Sequence, residues 1–195
     1  MKSRERNQKR RTLQRIILAV LQGDPDLYYY QVARLMAAVF LLALEDNDLA
    51  VQLLQKATST YFRPCMRSNF DSFYPIHLIS KPMIDCFQVE PYFAFAWFIT
   101  WFAHHVGGLD DASRLFDVFL CSHPLFSLYV SGAIVLASRS IILKQECEFG
   151  TMHDTLSKLV NDVSWDQAIV DGLQLIERFS PGVLLTHATD QHISM

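Results

Sequence analysis

Apolar residues recur at helical spacing along nearly the whole chain, and this periodicity restricts it to an all-α fold. Leu13, Ile16, Ile17, Val20 and Leu21 fall at i, i+3, i+4, i+7 and i+8, forming one clean stripe. Gly23 stops that helix, with Pro25 behind it. A second helix is predicted from about Tyr29 to Leu44, ended by Glu45-Asp46-Asn47-Asp48. A third begins near Asp48, with Leu49, Leu53 and Leu54 on its buried side. Thr60 to Ser72 is aromatic and irregular and reads as a loop.

Helix resumes around Pro75 and continues past Pro82, which kinks it or starts a new one. Pro91 suits the first turn of a helix carrying Phe93, Trp97 and Trp101, and His104 to Gly108 makes the turn after it. Leu109, Ala112, Leu115, Phe116 and Phe119 define the next helix. Beyond Pro124, the residues Phe126, Tyr129, Val130, Ala133, Ile134, Ala137 and Ile141 give the longest stripe. Leu156, Leu159 and Val160 mark a shorter helix, and Trp165, Ile169, Leu173 and Ile176 the last. No internal repeat and no alternating strand pattern appears. The expected layout is a basic lead-in over 1–11, one domain over 12–185 and a loose tail over 186–195.

Composition narrows the class further. The chain is 51% hydrophobic with net charge -3, which excludes disorder and a domain-wide basic field for nucleic acid. Lys2, Arg4, Arg6, Lys9, Arg10, Arg11 and Arg15 crowd the start, opposed only by Glu5. A solvated lead-in is the preferred reading; phosphates, anionic lipid or an import receptor are the alternatives. No apolar run reaches the roughly 20 residues a bilayer needs, and the basic start is not expected to be a secretory signal. Cys65, Cys86, Cys121 and Cys147 are scattered without zinc spacing. His104-His105 reads as a helix-end turn, and neither Cys121 with His123 nor Cys147 with His153 has an orienting third group.

Three strings carry more. Tyr29-Tyr30-Gln31 stands at the head of an apolar helix. Trp97-Phe98-Ile99-Thr100-Trp101-Phe102 lies on a later one, and Arg114-Leu115-Phe116-Asp117-Val118-Phe119 follows downstream. In this order they resemble the Tyr-x-Gln, Trp-Phe-x-Thr-x-Phe and Arg-x-x-Asp-x-Phe motifs of TBC domains, the Rab GTPase-activating fold. Pro82-Met83-Ile84-Asp85 and Cys121-Ser122-His123-Pro124 are similar to the ER-to-Golgi branch of that family. The resemblance covers about Thr12 to Leu185 and implies the C-terminal two-thirds of a helical TBC domain.

The resemblance implies a role in vesicle-mediated transport. It makes Gln31 the glutamine finger that orients the attacking water in a Rab active site, with Tyr29 and Tyr30 supporting it. Trp97, Thr100, Trp101, Phe102, Arg114 and Asp117 become structural motif positions. A carboxamide suits the task because it both donates and accepts. GTP and Mg would belong to the partner GTPase, so no cofactor and no metal of the chain's own is expected. Location is expected to be cytoplasmic, with peripheral association at ER or Golgi membranes open.

The family's arginine finger sits in an Ile-x-x-Asp-x-x-Arg string upstream of Tyr-x-Gln, and Met1 to Tyr28 contains none. Arg10, Arg11 and Arg15 are read as solvated rather than as substitutes. The family usually continues Gln-Gly, often with a His-Asp or Asn-Asp pair after it, whereas this chain reads Gln31-Val32-Ala33-Arg34-Leu35, with Val32 in place of glycine. Two functions therefore stand side by side: a Rab activator impaired by the missing arginine, and a non-catalytic Rab-binding scaffold or pseudo-activator. An unrelated helical interaction domain is the third, and it would require Gln31 to be buried and the three motif helices not to pack together. Because the family's upstream helices cover the segment represented here, the resemblance also implies an exposed apolar face.

Overall fold

The structure, a computed structural model, describes residues 3–29, 31–44, 46–66, 92–146 and 148–183, with only the backbone of 31, 32, 64, 65, 92 and 95. Helix α1 runs Ser3–Gly23, α2 Gln31–Leu44 and α3 Asn47–Thr60, followed by a 3₁₀ turn at Arg63–Met66. Then come α4 over Tyr92–Thr100, α5 over Leu109–Leu120, α6 over Phe126–Ala137 and the short α7 over Arg139–Ile142. Helix α8 spans Phe149–Lys158 and passes into a 3₁₀ turn at Leu159–Asp162, and α9 covers Trp165–Arg178. No strand occurs among the described residues, so the fold is all-α.

Local chemistry sets several of these boundaries. The Asp46 carboxylate accepts from the backbone N–H groups of Asp48 at 2.9 Å and Leu49 at 3.1 Å, capping α3. Glu148 does the same for α8, accepting from the Thr151 N–H at 3.4 Å and also from the Thr151 hydroxyl at 2.6 Å. Helices α1, α2 and α3 pack on one another, and α2 continues the contact to α4 and α5. Helix α6 packs on α4 and, most extensively, on α9. Gly172 permits that last approach, because a Cβ there would stand 3.1 Å from Val130 Cγ2 and 3.3 Å from the Val130 backbone nitrogen. The Tyr129 hydroxyl, 2.6 Å from the Phe179 carbonyl, donates to it and ties the end of α9 to α6.

Several expectations need correction. Leu49, Leu109, Leu173 and Ile141 are exposed, although periodicity put them on buried stripes. Leu49, Leu109 and Leu173 each lie at the margin of an apolar arc wider than the surface the neighbouring helices cover. The stripe through Ala137 and Ile141 is also broken, since α6 ends at Ala137 and Ser138 turns the chain into α7. The basic stretch from Arg4 to Arg11 is helical, forming the first turns of α1. The predicted helix beyond Pro75, the Pro82 to Asp85 segment, Cys86, Cys147 and the 186–195 tail lie outside the described residues.

The largest departure concerns α4. The helix was expected to carry Trp101 and to turn at His104, but it stops at Thr100, and Trp101 and Phe102 both take left-handed backbone angles (φ 47 and 61). The Phe102 N–H reaches back to the Trp97 carbonyl at 2.9 Å, the six-to-one bond of a Schellman-type helix end. Glycine normally fills such positions, and a bulky residue there costs on the order of 1–3 kcal/mol. Burial offsets that cost: Trp101 and Phe102 are both sealed in the core. No glycine among the described residues has a positive φ, so Gly107 and Gly108 do not make this turn.

Candidate functional site

The connection from α1 to α2 is short and heavily anchored. The Asp24 carboxylate accepts the Asp26 N–H at 3.0 Å, and the Asp24 carbonyl accepts the Leu27 N–H at 3.1 Å. Arg63, on the 3₁₀ turn beyond α3, straddles both acids, with its guanidinium 3.3 Å from Asp24 Oδ2 and 3.5 Å from Asp26 Oδ2. Leu27 is buried, and the Tyr28 N–H donates to the Met66 carbonyl at 2.7 Å. The backbone is thus fixed on both sides immediately before the Tyr-x-Gln string.

The side chains of Tyr28 and Tyr29 face outward. Tyr28 and Tyr29 are 59% and 57% exposed, unusual for tyrosines flanked by packed helices. Gln31 opens α2, whose first turn carries no acidic residue, so no carboxylate of its own faces the free N–H groups there. Tyr30 and the side chain of Gln31 lie outside the described residues.

The other two motifs form the core behind α2. Phe40 of α2 meets Phe116 of α5 edge-on, with ring centroids 5.3 Å apart. Trp101 touches Tyr61, Phe62, Phe116 and Phe119. Phe102 stacks on Phe119 at 6.2 Å, and Trp97 stacks on Phe102 at 6.0 Å. Thr100 is buried and donates to the Ala96 carbonyl at 2.6 Å. Trp101 is 1% exposed and is therefore core. The three motif helices pack together, which removes one condition attached to the third reading.

Arg114 and Asp117 lie on the outer face of α5. Arg114 reaches Asp166 of α9 at 3.4 Å, and both partners are more than half exposed, so the pair contributes at most about 1 kcal/mol. His105 stands edge-on to the Trp97 ring at 6.4 Å, and His104 is exposed. Burial first, then the neighbouring His104, holds the His105 pKa below its ordinary value of 6.5. Among the described residues no three His, Cys, Asp or Glu side chains stand together as a metal site. A groove of about 500 Å³ between α6, α8 and α9 is lined by Ile141, Asp154, Lys158 and Asp171 and includes none of the motif residues.

Sequence reasoning missed Arg63. It falls in a stretch without periodicity, far from Asp24 and Asp26 in the chain, and an isolated arginine carries no pairing signal. Only the Asp24-Pro25-Asp26 doublet hints at a cation to come.

Comparison with known proteins bears on this arrangement. The family model of the Rab-GTPase-TBC domain matches residues 1–143. The chain is 32% identical over 189 residues to TBC1 domain family member 20 of Bos taurus, covering 90% of this chain and 46% of that protein. The Homo sapiens protein of that name is 31% identical over the same span and coverage. GTPase-activating protein gyp10 of Schizosaccharomyces pombe is 29% identical over 174 residues, 82% of this chain and 46% of its own. The chain spans about half the length of the curated relatives it matches. No helix among the described residues is long and apolar enough to cross a membrane.

Proposed function

The chain belongs to the Rab-GTPase-TBC domain family, and from that membership we propose that it engages GTP-bound Rab GTPases and promotes their hydrolysis of GTP. The observation that carries this reading is the anchored α1–α2 connection. It holds Tyr29 out to solvent where Gln31 opens α2, the place at which a trans-acting glutamine would have to be presented. Gln31 orients the attacking water in the partner's active site, its amide donating towards phosphate while its carbonyl accepts from the water. Tyr29 and Tyr30 flank the contact. GTP and Mg belong to the GTPase, and the chain brings no cofactor of its own.

A second reading is supported by one observation: no Ile-x-x-Asp-x-x-Arg string occurs in these 195 residues. An arginine finger supplies about 10³ to 10⁵ in rate, roughly 4 to 7 kcal/mol of transition-state stabilisation. These residues by themselves would then bind a Rab as a pseudo-activator. Resemblance to the ER-to-Golgi branch supports a cytoplasmic protein working peripherally at those membranes.

Single-turnover GTP hydrolysis by a panel of purified Rab GTPases, with wild-type chain and Gln31→Ala, tests the proposal. Acceleration of tenfold or more that Gln31→Ala abolishes establishes the activator. GTP-dependent binding without acceleration establishes the pseudo-activator, and a folded chain that does neither sinks both.

A further inference from the structure

The cations of this chain are gathered at one end. Seven of its 17 lysines and arginines lie in the first fifteen residues against one of its 20 acids, leaving the remainder strongly acidic. From Ser3 on they form the first turns of α1, and from Ser3 to Arg11 every side chain is exposed except the half-buried Lys9. The packed part of α1 starts later, where Ile16, Ile17 and Val20 are buried as the helix meets α2 and α3. Nine helical residues extend about 13 Å, longer than the Debye length of about 8 Å at physiological salt. The turns that carry Arg4 and Arg6 therefore lie more than a Debye length along the helix from its buried residues, while Arg11 and Arg15 adjoin them.

Position around the helix adds a second observation. At about 100° per residue, Arg4, Arg11, Arg15 and Leu18 share one arc of roughly 60°, on the side away from Ile16, Ile17 and Val20. Leu18 is 55% exposed, an apolar side chain in line with three arginines. Arginines that meet headgroup phosphates, beside a leucine that reaches the acyl boundary, are the elements of a helix lying on an anionic bilayer. A nucleic acid would use the cations and leave Leu18 without a role.

We propose that the outward face of α1, Arg4, Arg11, Arg15 and Leu18, docks on anionic phospholipid membranes and holds the acidic body away from the surface. This deepens the peripheral membrane association put forward above and rests on it. It does not depend on GTPase activation.

The test is co-sedimentation of the full chain with phosphatidylcholine vesicles, alone or carrying about 30% phosphatidylserine. Binding is expected only to the anionic vesicles and should fall steeply as salt rises. Arg4→Gln, Arg11→Gln and Arg15→Gln combined should weaken it roughly a hundredfold, at about one charge's worth of surface attraction each. Leu18→Gln should weaken it several-fold, whereas Arg139→Gln with Lys144→Gln should not. Circular dichroism checks that each variant is folded, and the exposure of these side chains predicts that all are. Solution binding to a GTP-loaded Rab, without vesicles, is measured on the same samples, so failure of membrane docking is distinguishable from failure of GTPase recognition. Three outcomes would overturn the proposal: no binding of folded wild type to anionic vesicles, undiminished binding by the triple variant, or tighter binding to duplex DNA than to vesicles at equal salt.

Discussion

The Trp101 indole stands edge-on to the Phe116 ring, centroids 5.2 Å apart and planes at 88°, while its own backbone sits at φ 47. The contact and the strained angle belong together, since the turn that ends α4 aims the indole between α3 and α5. Trp101→Ala should cost about 3–5 kcal/mol through the lost packing. Trp101→Gly should cost about 1 kcal/mol less than Trp101→Ala, because glycine adopts the left-handed region freely. This reverses the usual order within a helix, where glycine is the worse of the two. Urea midpoints of the two variants decide it, and a less stable glycine variant would refute the strained turn.

Arg63 joins Asp24 and Asp26, but the acids are partly or largely exposed, so the clamp should contribute little to global stability. Arg63→Gln is expected to lower stability by no more than about 1 kcal/mol. Its effect on Rab binding should be disproportionate, weakening it about tenfold or more as the connection before Gln31 loosens. Comparing the melting temperature with the Rab dissociation constant checks this, and equal small losses in both would reduce Arg63 to a surface ion pair.

Two glycines in the α6–α9 contact should respond in opposite directions. A Cβ at Gly132 would meet only Leu175 Cδ1 at 3.9 Å, so Gly132→Ala should stabilise by about 0.5–1 kcal/mol. At Gly172 the nearest obstacles include the Val130 backbone, which cannot rotate away. Gly172→Val is expected to destabilise by about 1–3 kcal/mol. Thermal unfolding of both variants provides the comparison.

Acidification should weaken the fold through His105. Its folded pKa lies below 6.5 because burial disfavours the charged ring, so the unfolded chain binds the proton more readily. The stability it contributes is therefore complete above about pH 7 and is lost as pH falls through the folded pKa. Glu148, also depressed, acts in the same direction but only below its ordinary 4.5. Between roughly pH 7 and 5, His105→Phe should flatten the stability profile while keeping a ring against Trp97. An unchanged slope would remove His105 as its source.

The helices were legible because burial imposes the 3.6-residue period directly on side-chain type. Ile16, Ile17 and Val20 needed nothing else to be placed on the inner face of α1. Leu49 and Leu173 were misplaced for the same reason, since periodicity registers an apolar arc but not how much of it a neighbour covers. The end of α4 was illegible because Trp101 and Phe102 carry no local sign of a left-handed turn. Only distant partners, Tyr61 and Phe116 among them, make that conformation tolerable. The same limit hid Arg63, whose pairing with Asp24 and Asp26 exists only after α3 has returned the chain to them. The Tyr-x-Gln string was visible as a pattern; its anchoring was not.

The left-handed pair at Trp101 and Phe102 also orders events during synthesis. Tyr61 and Phe62 leave the ribosome well before the indole they will touch, but Phe116 and Phe119 emerge after it. Until they arrive, only Tyr61 and Phe62 offset the cost of the turn, and the segment from Phe98 to Val106 lacks the other half of its packing. The motif helices must then lock in one step, when α5 closes over Trp101. A ribosome stalled just before Phe116 would hold α1 to α3 with an unfinished core behind them, which a protease pulse would detect.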